Sequence, residues 1–107
     1  MEKKIDLHIH TNCSDGDNSI YEVIDMAINN KLDMISITDH DTVMAYSDEV
    51  FKYAYDRGIE LVTGVEISVK YNNETIHVLG YNIDVENENL NNKLERIKEL
   101  INIIMEV

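Results

Sequence analysis

Histidines and carboxylates gather at or beside the ends of predicted strands, in Asp6-Leu7-His8-Ile9-His10, Thr38-Asp39-His40-Asp41, Gly64-Val65-Glu66-Ile67 and Ile76-His77-Val78. Strand ends are where α/β folds place their chemistry, so this pattern constrains fold and site together. The first segment alternates strictly, with Ile5, Leu7 and Ile9 on one face and Asp6, His8 and His10 on the other. Two imidazoles then stand on one face with Cα atoms about 6.6 Å apart, close enough to meet at one ion about 2 Å from each nitrogen. Taken alone, the pair reads equally well as solvated surface histidines. The other segments favour a metal centre.

Glu66 and His77 are related by register. Val62 to Tyr71 and Glu74 to Ile83 are β-rich runs separated by Asn72-Asn73, which predicts a two-residue hairpin. If Tyr71 faces Glu74, Ser68 faces His77 and Glu66 faces Leu79, so Glu66 and His77 lie diagonally on one face and can share an ion. A carboxylate between Val65 and Ile67 is costly to bury unless paired or coordinated. Met34 to Thr38 is a short apolar strand leading directly into Asp39-His40-Asp41. Asp41 is expected to cap the following helix, the same role is open to Asp39, and His40 has no capping role. Asp15, before Gly16, reads by itself as a turn residue.

The coarse order is a strand over Lys4 to His10, a helix over Ile20 to Asn30, a strand over Met34 to Thr38 and a helix over Val43 to Arg57. A long strand and hairpin over Ile59 to Ile83 and a final helix follow. This alternation predicts an α/β fold with a parallel sheet flanked by helices. The first helix opens with the capping box Ser19-Ile20-Tyr21-Glu22 and is expected to bury Ile20, Val23, Ile24, Ala27 and Ile28. Gly58 is the expected left-handed stop of the second. At 107 residues the chain suits one small domain, whereas a closed β/α barrel typically needs about 200 to 250. In the last helix Leu90, Leu94, Ile97, Ile101 and Ile104 form an apolar stripe that runs on to Val107 without a stop signal, so residues 1–107 read as the truncated N-terminal part of one domain. An open sheet edge and that stripe predict self-association as a homodimer.

The formal charge of −12, with nine Lys and Arg against 21 Asp and Glu, argues against broad nucleic-acid binding. Bound cations invert the local field, so a small phosphorylated substrate remains compatible with an acidic chain. With one cysteine, no signal peptide and no transmembrane run, the default location is cytoplasmic, without membrane association. Cys13 close to the histidine pair opens an alternative, a nucleophilic thiol, which would leave Glu66 and His77 idle.

Together His8-Ile9-His10-Thr11, Ser14-Asp15-Gly16, Ile37-Thr38-Asp39-His40-Asp41-Thr42, Gly64-Val65-Glu66-Ile67-Ser68 and Ile76-His77-Val78-Leu79-Gly80 resemble the polymerase and histidinol phosphatase (PHP) domain. Within it they look most similar to phosphoesterases of nucleoside 3′,5′-bisphosphates and RNA 5′ ends. The resemblance spans Ile5 to Asp84 and implies the N-terminal portion of a distorted seven-stranded β/α barrel holding up to three divalent ions at its strand ends. By position it places metal ligands at His8, His10, Asp15, His40, Glu66 and His77, and so turns Asp15 from a turn residue into a ligand. His8 and His10 with Glu66 are expected at one ion, Glu66 and His77 toward a second, Asp15 and His40 at the third. Mixed imidazole and carboxylate donors suit Mn, Fe or Zn better than Mg. The resemblance also implies a later histidine and an Asp-x-His; all four histidines here are already assigned. The implied function is hydrolysis of a small phosphorylated substrate, a nucleotide or RNA 5′ end, by metal-activated water. A histidinol-phosphate phosphatase and a non-catalytic metal-binding module of this fold remain as alternatives.

Overall fold

The computed structural model describes residues 2–105, ordered β1 (Ile5–Ile9), α1 (Ile20–Asn29), β2 (Met34–Ile37), α2 (Asp48–Asp56), β3 (Glu60–Tyr71), β4 (Glu74–Tyr81) and α3 (Glu88–Met105). The strands form one sheet in the order β1-β2-β3-β4. β1 pairs parallel with β2, and β2 parallel with the first half of β3, Ile37 facing Thr63. The second half of β3 turns back on β4 with Tyr71 opposite Glu74, Ser68 opposite His77 and Glu66 opposite Leu79, the expected register. Asn72 and Asn73 have φ of 50° and 65°, and two successive left-handed residues are what a tight hairpin matching the strand twist requires.

Alternation along the strands sorts the two faces. Ile35, Ile37 and Val65 are fully buried and share one core with Ile24 of α1 and Val50 and Ala54 of α2. Ser36, Thr38, Gly64 and Glu66 point the other way, so the polar groups face away from the helices. The sheet is curled, and the Tyr81 hydroxyl of β4 donates to the Leu7 carbonyl of β1 at 2.6 Å, joining its first and last strands. This curl carries the β1 histidines toward those facing β3. β4 itself stays bare, with Ile76, Val78, Leu79 and Tyr81 all exposed.

α1 begins with the capping box: the Ser19 hydroxyl accepts from the Glu22 amide and the Glu22 carboxylate accepts from the Ser19 amide. Ile28, expected in the core, is 36% exposed, because it lies in the last turn, where the chain already leaves the sheet through Lys31 at φ 59°. α2 starts five residues later than expected, at Asp48, capped by Ser47. Residues 43–46 instead fold into the core, burying Val43, Ala45 and Tyr46. The Tyr46 hydroxyl accepts from the amides of Ile37 (3.0 Å) and Gly64 (3.0 Å) and donates to the Ile37 carbonyl (2.6 Å), bridging β2 and β3. Helical backbone from Val43 would forgo that bridge. Tyr46→Phe is therefore expected to strand two buried amides at a cost of about 1–3 kcal/mol for each, read as a lower denaturant midpoint at unchanged slope. α2 ends at Arg57, followed by Gly58 at φ 76°. In α3, Leu94 is buried and Leu90 packs against the core. The side chains of Ile101 and Ile104, and the expectations at Val107, lie outside the described residues.

Candidate metal centre

All six ligand candidates converge at one end of the curled sheet. Glu66 is the centre: it is 4% exposed, and each of its carboxylate oxygens faces two imidazoles. Oε1 lies 2.6 Å from His8 Nε2 and 2.9 Å from His10 Nε2, while Oε2 lies 2.9 Å from His77 Nδ1 and 3.6 Å from His40 Nδ1. Asp15, on the loop after β1, meets His10 Nδ1 at 2.6 Å and His40 Nε2 at 3.2 Å. Asp15 does lie in the turn that Asp15-Gly16 predicts, and that turn also carries its carboxylate into the cluster.

Three trios share these groups: His8, His10 and Glu66; His10, Asp15 and His40; His40, Glu66 and His77. Within each trio the donor atoms lie within 4.8 Å of one another, the scale of one coordination sphere with bonds of about 2.0–2.2 Å. The resemblance assigns His10 and His40 to one ion each, and here each stands in two candidate trios, of which a neutral imidazole can serve one at a time. Sequence spacing does not show this, because the second neighbour of each comes from another element.

The residues fit divalent cations by their charge balance. Glu66 is buried and faces four imidazoles and no Lys or Arg, so its charge must be met by protons on those rings or by cations. Both His10 nitrogens face carboxylates, which calls for a proton on each. Burial pulls the His10 imidazole down, but hydrogen bonds to Glu66 and Asp15 outweigh it and hold its pKa above 6.5. Burial pushes Glu66 up, and hydrogen bonds from His10 and His8 prevail, holding it below 4.5. Desolvation raises and the His10 contact lowers Asp15, which ends below 3.8.

These shifts set a stability window for the metal-free protein. The raised His10 pKa contributes stability that is full below 6.5 and lost as pH rises through the folded value. The lowered Glu66 pKa contributes stability that is full above 4.5 and lost as pH falls through its folded value. Chelator-treated protein is expected to melt highest between pH 4.5 and 6.5; a melting temperature still climbing above pH 6.5 would contradict the imidazolium at His10.

Asp41 does not take the capping role expected of it, nor does Asp39 take the one left open to it. Neither caps a helix, since α2 opens at Ser47. Asp41, 4% exposed and at φ 54°, accepts from the amide and hydroxyl of Ser68, both at 2.8 Å. Its own amide donates to the Glu66 carbonyl and the Glu66 amide donates to the Asp39 carbonyl, a short parallel bridge holding His40 against β3. The only local signal was a run of carboxylates after an apolar strand, which helix capping explains equally well.

The PHP domain family matches residues 6–106 of this chain. A 5′-3′ exoribonuclease of Haemophilus influenzae is 43% identical over 84 residues, covering 78% of this chain and 30% of its own length. A 3′,5′-nucleoside bisphosphate phosphatase of Chromobacterium violaceum is 38% identical over 95 residues, 89% of this chain and 33% of its own. Among solved structures, an amidohydrolase from Chromobacterium violaceum with bound sulfate and no metal superposes with a TM-score of 0.84 at 38% identity, over 90% of this chain and 34% of that one. The chain thus spans about a third of the length of the curated relatives it matches. Among the described residues no helix is long and apolar enough to cross a membrane.

Proposed function

Because this chain belongs to the PHP domain family, we propose that it is the metal-binding part of a divalent-metal-dependent phosphoesterase that hydrolyses a nucleotide or RNA 5′-end phosphoester. The observation that carries this reading is Glu66, buried with both carboxylate oxygens turned to imidazoles. His8, His10 and Glu66 would hold one ion, Glu66 and His77 a second, and Asp15 and His40 a third, each neutral imidazole serving one ion through its single free lone pair. The mixed donor set favours Mn, Fe or Zn. The chemistry that divalent ions would supply there is polarisation of a phosphoryl oxygen and a lowered pKa of bound water. The chain's own contribution is to fix the donors: Glu66 from a rigid strand, His40 by its bridge to that strand, and Asp15 by its loop. Half-exposed His8 and His77 leave one side of the cluster open to a substrate.

Phosphoester substrates are supported by the names of the two curated relatives, both of which act on phosphorus esters of nucleotides or RNA. The sulfate in the structural relative is a tetrahedral dianion of the same shape as phosphate. Cys13 stands outside all three trios, and a thiol nucleophile would leave Glu66 and His77 without a role. Elemental analysis of the purified protein, paired with phosphate release from a nucleoside 3′,5′-bisphosphate, a 5′-phosphorylated oligoribonucleotide and histidinol phosphate, tests the proposal. Bound metal with release from either of the first two is expected. Release from histidinol phosphate alone would favour that phosphatase, and bound metal with no release from any would favour the non-catalytic module.

A further inference from the structure

Asp39 is 1% exposed, yet no Lys or Arg is among its hydrogen-bond partners. Its side chain accepts from the Thr11 amide at 2.6 Å, the Thr11 hydroxyl at 2.7 Å and the Ser14 hydroxyl at 2.8 Å. All three donors come from the loop that presents Asp15. Thr11, itself fully buried, is the hub of that loop: its carbonyl accepts from the amides of Ser14 and Gly16, and its hydroxyl accepts from the Cys13 amide. Gripping Thr11 by both amide and hydroxyl therefore sets the path of residues 11–16. The Asp39 carbonyl accepts from the Glu66 amide at 3.0 Å, and the next residue after Asp39 is His40. Asp39 thus ties the Asp15 loop to the two elements that carry Glu66 and His40.

A buried carboxylate kept only for stability would be an expensive choice, since an apolar group of similar volume packs without a desolvation cost. Its worth lies in direction. Three charge-assisted hydrogen bonds fix the loop in one place, and Asp15, 61% exposed in its side chain, is otherwise held only through its contacts with His10 and His40.

We propose that Asp39 is the positioning residue for Asp15: by gripping Thr11 and Ser14 it places the Asp15 carboxylate between His10 and His40, and so sets the affinity of that one metal position without touching the ion. This rests on the metal reading above. Groups that orient metal ligands typically govern about 10- to 100-fold in affinity.

The test compares wild type with Asp39→Asn, Asp15→Asn, the double variant and Ser14→Ala, using two readouts. Manganese titration followed by elemental analysis reports how many ions each chain holds and how tightly. Nitrogen-15 spectra of the imidazoles in chelator-treated protein report the His10–Asp15 contact without any metal. Asp39→Asn is expected to weaken one ion about 10- to 100-fold and leave the other two. It is also expected to move the His10 Nδ1 resonance toward its position in Asp15→Asn while His77 stays put. The double variant should match Asp15→Asn, because both changes remove one contact. A wild-type His10 spectrum in Asp39→Asn would overturn the proposal, as would equal weakening of all three ions. If Asp39→Asn does not fold, Ser14→Ala decides: a shift confined to His10 and to one ion supports the proposal, and wild-type behaviour in both overturns it. A wild-type protein that takes up none of manganese, iron and zinc would sink the metal reading, while the imidazole spectra still judge Asp39.

Discussion

Glu66→Gln protein is expected to keep its fold and lose two of the three proposed metal positions, because Glu66 belongs to two candidate trios and the trio of His10, Asp15 and His40 stands apart from it. Glutamine preserves the shape but offers one neutral oxygen where the carboxylate offers two charged ones, so neither shared position keeps its anionic donor. The metal-free protein should lose no more than about 3 kcal/mol, the scale of hydrogen bonds to a charged group, since His8 and His77 are half-exposed and can be hydrated instead. Metal content by mass spectrometry and melting temperature, measured on the same preparation, separate the two effects. Unchanged metal content would remove Glu66 from the ligand set, and with it the observation on which the proposed function stands.

Gly16→Ala is expected to have the second large effect, and its origin is contact. Gly58 is the glycine with a left-handed φ; Gly16 is not, so a turn conformation alone does not explain the glycine. A Cβ at position 16 would stand 2.3 Å from the His10 carbonyl oxygen, 2.7 Å from the His10 carbonyl carbon and 3.0 Å from that of Thr11. These are backbone atoms and cannot swing aside as a side chain tip does. Either the loop moves off His10, carrying Asp15 with it, or the end of β1 shifts. Overpacking of this kind costs typically about 1–3 kcal/mol and occasionally more, which for a domain of this size lowers the melting temperature by roughly 4–8 °C per kcal/mol. The ion of the His10, Asp15 and His40 trio should weaken as well. A variant that melts and binds metal like wild type would show that the loop has room to relax and that the close approach is not a constraint.

Features governed by local rules were legible in the chain. The Asn72-Asn73 turn fixed the register that puts Ser68 opposite His77 and Glu66 opposite Leu79, because side chains alternate strictly along a strand and a one-residue slip would reverse every face. The Ser19–Glu22 capping box and the stop at Gly58 were equally readable, since each is completed within one helical turn. The start of α2 was not. Apolar spacing from Val43 suits a helix, but Tyr46 finds its partners on Ile37 and Gly64, which no window of local sequence contains.

The candidate site divides along the same line. Alternation and strand-end placement single out His8, His10, Glu66 and His77 as groups able to share a face and His40 as a strand-end group beside them, and the family resemblance adds Asp15. Only the folded sheet decides who meets whom. Its curl, joined by Tyr81 to Leu7, carries β1 round toward β3 and β4, so that one carboxylate faces four imidazoles. Asp39 and Asp41 carry no such signal in sequence, because a carboxylate after a strand is equally a helix cap until burial and partners are known. The sequence by itself determined the elements, their register and the donor types, all set by chain-local sterics and periodicity. The tertiary structure decided the sharing of His10 and His40 between trios, the buried grip of Asp39 on Thr11, and the charge balance around Glu66, because those depend on distances between segments far apart in the chain.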